Sequence, residues 1–154
     1  MSDSPLPEVS ARPGQGLFAM LSEAELAIMR TYLRGRQLPD GAELWQVGDA
    51  GDYLACIEAG CIELKVDTEF PGRQLVMGVF RAGAAIGASC LLDHLPRATA
   101  AKALEPTTLL LLDRTRFAAL TCDHPQIAIK LLKSLLLAES SRLRQAYARL
   151  ASVF

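Results

Sequence analysis

Histidine is scarce in this 154-residue chain, which carries only His94 and His124. Its four cysteines, Cys56, Cys61, Cys90 and Cys122, show no C-x-x-C spacing. The ligand sets that hold zinc or another transition metal are therefore missing, and no metal centre or cofactor is expected. The thiols read as reduced and buried, as in a cytoplasm. An excess of one charge is missing too: 16 Lys and Arg face 17 Asp and Glu, a net charge of −1, which gives no bulk attraction to nucleic acid. Long hydrophobic runs are absent, the richest being the strand-sized Thr108 to Leu112, so no membrane association is expected. Met1 to Pro13 is polar and proline-bearing, without the apolar centre of a secretion signal, which points to a cytoplasmic chain. Hydrolytic chemistry lacks its parts. Asp93 and His94 stand side by side, but Ser89-Cys90 nearby has no Gly-x-Ser-x-Gly turn, so no catalytic residue and no enzyme are expected.

Apolar residues make up 51% and charged residues 21%, the balance of a globular domain, and the length suits one core. Residues 1–15 read as a flexible leader rich in Ser, Pro and Gly. Residues 16–122 open with a short helix. Ser22 followed by Glu25 makes a capping box, Leu26, Met29, Tyr32 and Leu33 share a face, and Gly35 offers a stop. The period then shortens. Strands are expected at Leu44 to Val47, Tyr53 to Glu58, Cys61 to Val66, Leu75 to Phe80, Ala98 to Ala103 and Thr107 to Leu112. In the third of these, Ile62, Leu64 and Val66 point inward and Glu63 and Lys65 outward, and Asp67 to Arg73 forms a hairpin loop around Pro71-Gly72. Many short strands without alternating helices predict a mainly β fold with flanking helices, an antiparallel β-roll or jelly roll.

Residues 123–154 read as one long helix, with Asp123 as cap, Pro125 in the first turn and no glycine or proline from Gln126 to Leu150. Ile129, Leu132, Leu136, Leu143, Tyr147 and Leu150 form a stripe, and Leu131, Leu135 and Leu137 widen it beyond what one partner surface covers. Such a helix is expected to pack on the roll with one face and on a second copy, as a homodimer, with another. Lys130, Lys133, Arg142, Arg144 and Arg149 gather on it, either as a solvated face or as a patch for an anionic surface.

The segment Gly83-Ala-Ala-Ile-Gly87-Ala-Ser-Cys-Leu-Leu-Asp-His-Leu-Pro-Arg97-Ala-Thr-Ala-Ala101 carries the chemistry. A glycine-opened turn lets backbone N–H groups converge on an anion, and Arg97 can grip two oxygens of one phosphate. Arg97 stands at the start of an apolar stretch, where a charge needs a counterpart: either a ligand phosphate or an internal carboxylate such as Asp93. Cys90 lies in the same turn, where its oxidation would gate the pocket, although burial keeps a thiol inert.

The spacing from Gly87 through Leu91-Leu92-Asp93 to Pro96-Arg97-Ala98 resembles the phosphate-binding cassette of cyclic nucleotide-binding domains. Gly41-x-x-Leu44-x-x-x-Gly48-Asp49-x-Gly51-Asp52-Tyr53, Ile57-x-x-Gly60 and Leu17-Phe18-x-x-Leu21-Ser22-x-x-Glu25-Leu26 are similar to the same family, in particular to effector domains of the catabolite activator and fumarate-nitrate regulator type. The resemblance implies a sensor that binds cyclic AMP, cyclic GMP or a similar anionic small molecule through Gly87, Ala88, Ser89, Cys90, Leu91, Arg97, Ala98 and Thr99. It implies a lid over the base on the long helix, with Ser140, Ser141 and Arg142 as candidates, and signalling through that helix to a protein effector. Thr99 either adds a hydroxyl to the pocket or faces away. Where the family usually has a glutamate for the ribose 2′-hydroxyl, this chain has Ala88, and an unpaired hydroxyl costs about 1–3 kcal/mol. Two further readings therefore stand beside the sensor: a degenerate domain kept for dimerisation or docking, and a pocket for another anion. The chain ends at Phe154, soon after the long helix, so no helix-turn-helix and no direct DNA binding are expected.

Overall fold

A computed structural model describes residues 16–154, so the leader expected over residues 1–15 lies outside the described part. Eight strands form two antiparallel four-stranded sheets. They are β1 (Arg34–Leu38), β2 (Glu43–Trp45), β3 (Tyr53–Ala59), β4 (Cys61–Asp67), β5 (Gln74–Arg81), β6 (Ala85–Ile86), β7 (Ala100–Ala103) and β8 (Thr107–Asp113). One sheet has the order β1-β8-β3-β6 and the other β2-β7-β4-β5, the strand orders of a jelly roll. Helices flank the roll: a 3-10 turn (Gly16–Phe18) and α1 (Glu23–Arg30) before it, α2 (Arg114–Asp123) and α3 (Pro125–Ala151) after it. Among the described residues no helix is long and apolar enough to cross a membrane.

The sheet containing β3 and β8 is covered on both faces, which is why its central strands read as unbroken apolar runs. Ala55, Ile57, Leu109 and Leu111 point into the roll, where they meet Leu44, Trp45, Ile62 and Ile86. Leu54, Cys56, Leu110 and Leu112 point the other way and meet Leu26 and Met29 of α1, Phe117 and Leu120 of α2, and Ile127, Leu131 and Leu135 of α3. Burying a side chain such as Leu131 stabilises the fold by about 1.5–3 kcal/mol, so α3 is anchored through its first half. The second sheet has an exposed outer side, and β4 alternates as expected through Leu64. At the Leu64–Lys65 step β5 carries an extra residue, Met77, as a bulge, and Val66 near the end of β4 is only half-buried.

The Ser22 capping box forms in both directions, Ser22 Oγ accepting from Glu25 N and Glu25 Oε1 from Ser22 N. Gly35, by contrast, stops nothing. α1 ends at Arg30, and Gly35 lies inside β1 opposite Leu110. β1 escapes a hydrophobicity search because Arg34-Gly35-Arg36-Gln37 is polar and pairs only along its β8 edge. The strand expected from Ala98 begins at Ala100, leaving Arg97 in the approach to β7. Asp123 does not cap the long helix: it ends α2, where its carboxylate accepts from Tyr32 Oη at 2.9 Å, and His124 occupies the cap before Pro125. The extra helix α2 is capped by Asp113, whose carboxylate accepts from Arg116 N at 2.7 Å. Cys56, Cys61 and Cys90 are buried, but Cys122, near the end of α2, is exposed.

Candidate phosphate-binding site

The cassette starts where β6 ends. Gly87 has φ +73°, a left-handed conformation that L side chains rarely adopt, and it turns the chain into a 3-10 turn over Ala88–Leu91. A Cβ on Gly87 would collide with Arg97 Nη1, so the guanidinium lies directly against this glycine. Cys90 and Leu91 face the core, and Ser89 is exposed with its carbonyl accepting from Leu92 N and Asp93 N. Beyond the turn, Leu92 and Leu95 are open to solvent, and Asp93 Oδ1 accepts from Leu95 N at 3.2 Å.

Arg97 returns from this loop into the roll and is only 6% exposed. Its backbone is held on both sides, the N–H donating to Asp49 O and the carbonyl accepting from Gly48 N, each at 2.8 Å. Among the described residues no carboxylate pairs with it, so Asp93 is not its counterpart. The guanidinium instead stacks on aromatic faces: Cζ is 3.7 Å from the Trp45 ring and 4.8 Å from the Tyr53 ring, and these two rings meet edge-on at 5.8 Å. Nη2 donates to Tyr53 O at 2.6 Å, while Nε is buried without an acceptor. A buried cation with no anion beside it is costly unless an anion arrives.

Arg114, the first residue of α2, ties the cassette to the helical layer. Its Nε donates to Cys90 O at 2.9 Å, and its Nη2 donates to Gly51 O at 2.9 Å and Asp93 O at 2.8 Å. Burial pushes the Cys90 thiol up from its ordinary value, against the pull of the Arg97 and Arg114 guanidiniums, and burial holds Cys56 up to about 12. Both thiols stay protonated at neutral pH, so Cys90 is not a reactive thiolate in this arrangement.

The other expected residues divide. Ala88 is partly buried against the core on the helical side, Ala98 is exposed, and Thr99 is partly buried. The lid candidates Ser140, Ser141 and Arg142 are all partly buried. Arg142 is already engaged, its Nη2 donating to Ala85 O, its Cζ 4.5 Å from the Phe80 ring and its Nη1 2.8 Å from Glu139 Oε1. A cavity of about 380 Å³ opens on the outer face of the second sheet, beside Glu43, Glu63, Lys65 and Lys102, and none of the cassette residues lines it. Trp45, Tyr53, Gly51 and Arg114 were missed by sequence reasoning. Only the single tryptophan next to a glycine-spaced turn offered a signal.

A family profile described as "Cyclic nucleotide-binding domain" matches residues 35–124. The chain belongs to this family. Over 133 residues it is 32% identical to the cyclic AMP receptor protein of Thermus thermophilus, covering 86% of this chain and 59% of that protein. A crystal structure of a cyclic nucleotide-binding domain from Methylobacillus flagellatus superposes with a TM-score of 0.82 at 28% identity, over 91% of this chain and 78% of that one. The catabolite activator protein of Thermus thermophilus gives 0.75 at 30% identity, over 89% and 62%. The chain thus spans less than two thirds of the curated receptor's length. It is a Crp/Fnr-like regulatory module related to cyclic AMP-binding proteins, in a family of regulators and not of catalysts.

Proposed function

We propose that this cyclic nucleotide-binding domain is a sensor for a small phosphate-bearing ligand, cyclic AMP or cyclic GMP, with Arg97 as the phosphate partner. The ligand rests in the cassette formed by Gly87, Ala88, Ser89, Cys90 and Leu91, closed by Arg97, Ala98 and Thr99. The observation that carries this reading is the burial of the Arg97 guanidinium with, among the described residues, no carboxylate beside it and no acceptor for Nε. The relationship to a cyclic AMP receptor protein supports the ligand class. Occupancy would pass through Arg114 to α2 and α3, because Arg114 binds the backbone of the cassette at two carbonyls. A ligand shifts that layer only to the extent that it prefers one arrangement over the other.

Calorimetry with cyclic AMP and cyclic GMP, on the wild type and on Arg97→Ala, tests the reading. Binding by the wild type in the micromolar range, lost at least a hundredfold in the variant, is the expected result. Heat that survives Arg97→Ala would place the ligand elsewhere. A second reading is favoured by Ala88 and by the aromatic stacking that already covers Arg97: a domain kept for dimerisation or docking. It predicts no heat with either nucleotide at millimolar concentration.

A further inference from the structure

We propose that Trp45 is a second ligand-contacting residue of this site, its indole Nε1–H donating to the same phosphoryl group that Arg97 takes. Selection then falls on the oxygens of the phosphodiester and not on the ribose. The inference rests on Arg97 being the phosphate partner, and it adds a residue that the cassette pattern does not contain.

The first observation is a pair of orphan donors. Trp45 Nε1 and Arg97 Nε are both buried atoms without a hydrogen-bond partner, on side chains that are 5% and 6% exposed. Buried N–H groups are almost always paired, so two unpaired ones on touching side chains need a reason. The second observation is their placement. Arg97 Cζ lies over the indole, 3.7 Å from its ring centroid, so the two orphan donors belong to side chains in direct contact. Gly51 adjoins the Arg97 donor, since a Cβ there would stand 3.6 Å from Nε, while Gly87 adjoins the other end of the indole, where a Cβ would stand 3.1 Å from Cη2 of its benzo edge. A phosphodiester carries two free oxygens, each able to accept one of the two donors. The third observation concerns what surrounds them. Ala88 offers no acceptor to a ribose hydroxyl, so polar discrimination concentrates at the anion.

Stacking on a cation is a property of the ring, which phenylalanine shares. Donation from Nε1 is not, so Trp45→Phe separates the two roles. The chain has one tryptophan, so a 15N-labelled sample gives a single indole cross-peak. Titration with cyclic AMP, 2′-deoxy cyclic AMP and inorganic phosphate should move that peak downfield as the hydrogen bond forms. Trp45→Phe should weaken cyclic AMP binding about tenfold, while ribo- and deoxyribonucleotide bind the wild type within about threefold of each other. An indole peak that stays in place while the amides of residues 88–92 shift would overturn the inference on the wild type alone, whether or not the variant folds. So would unchanged affinity in a folded Trp45→Phe. If Arg97→Ala abolishes binding and Trp45→Phe does nothing, only the role of Trp45 falls. Binding that survives Arg97→Ala removes the phosphate partner itself, and silence of the wild type toward all three probes removes both.

Discussion

Arg97 and Ala88 stand in the same short cassette and pull in opposite directions. Among the described residues Arg97 has no carboxylate beside it, and one carbonyl and two aromatic faces hold its guanidinium in place without neutralising it, which is the basis for proposing an anion there. In the proposed nucleotide complex, Ala88 offers no acceptor to the ribose. Restoring one should therefore be visible in affinity. Ala88→Glu is expected to tighten cyclic AMP about tenfold and to leave 2′-deoxy cyclic AMP unchanged, as measured by calorimetry on both ligands. An equal gain for the two, or none, would mean that the ribose does not face residue 88. The left-handed turn at Gly87 and the burial of Arg97 were legible at this scale, because a glycine opens such a turn and an apolar run follows the arginine. Trp45 and Tyr53 were not, since aromatic stacking depends on two strands that sequence does not bring together.

At the scale of elements, Arg114 joins the cassette to the helices. It heads α2 and reaches three carbonyls, Cys90 O, Gly51 O and Asp93 O, across two loops. Arg114→Ala leaves these acceptors partly desolvated, which should cost about 2 kcal/mol. Hydrogen exchange is the measurement: protection at residues 88–95 should fall while the amides of β3 and β8 keep theirs. Uniform loss across the domain would show that Arg114 supports the fold as a whole and not the cassette. The long helix was readable from its uninterrupted run and Pro125, and the hairpin of β4 and β5 from Pro71-Gly72. β1, β6 and α2 were not. β1 is polar and glycine-bearing, β6 is two residues long, and α2 follows β8 without a break, so that Asp113 serves both as strand end and as cap.

For the whole molecule, α3 buries one side and leaves the other open. Ile127, Ala128, Leu131 and Leu135 are buried against the roll, whereas Ile129, Leu136, Leu143 and Leu150, seven residues apart, are 51%, 68%, 51% and 61% exposed. A heptad-spaced apolar stripe of that length fits a second copy of the same helix. Sedimentation should find a dimer at micromolar concentration, and Leu136→Glu should reduce it to a folded monomer. A wild-type monomer at high concentration would leave the stripe to another partner.

The sequence by itself determined the class of fold, the glycine-opened turn at Gly87 and the long helix. Alternating strands, turn glycines and an unbroken helical run are local signals, set by backbone sterics and by which side chains avoid water. Tertiary structure alone decided what Arg97 touches, which face of α3 is spent on the roll, and that Trp45 stacks on Arg97 while Arg114 binds the backbone at Cys90 and Asp93. Each of these is a contact between residues far apart in the chain, and its energy depends on burial and alignment that exist only once both sheets and the helical layer have closed together.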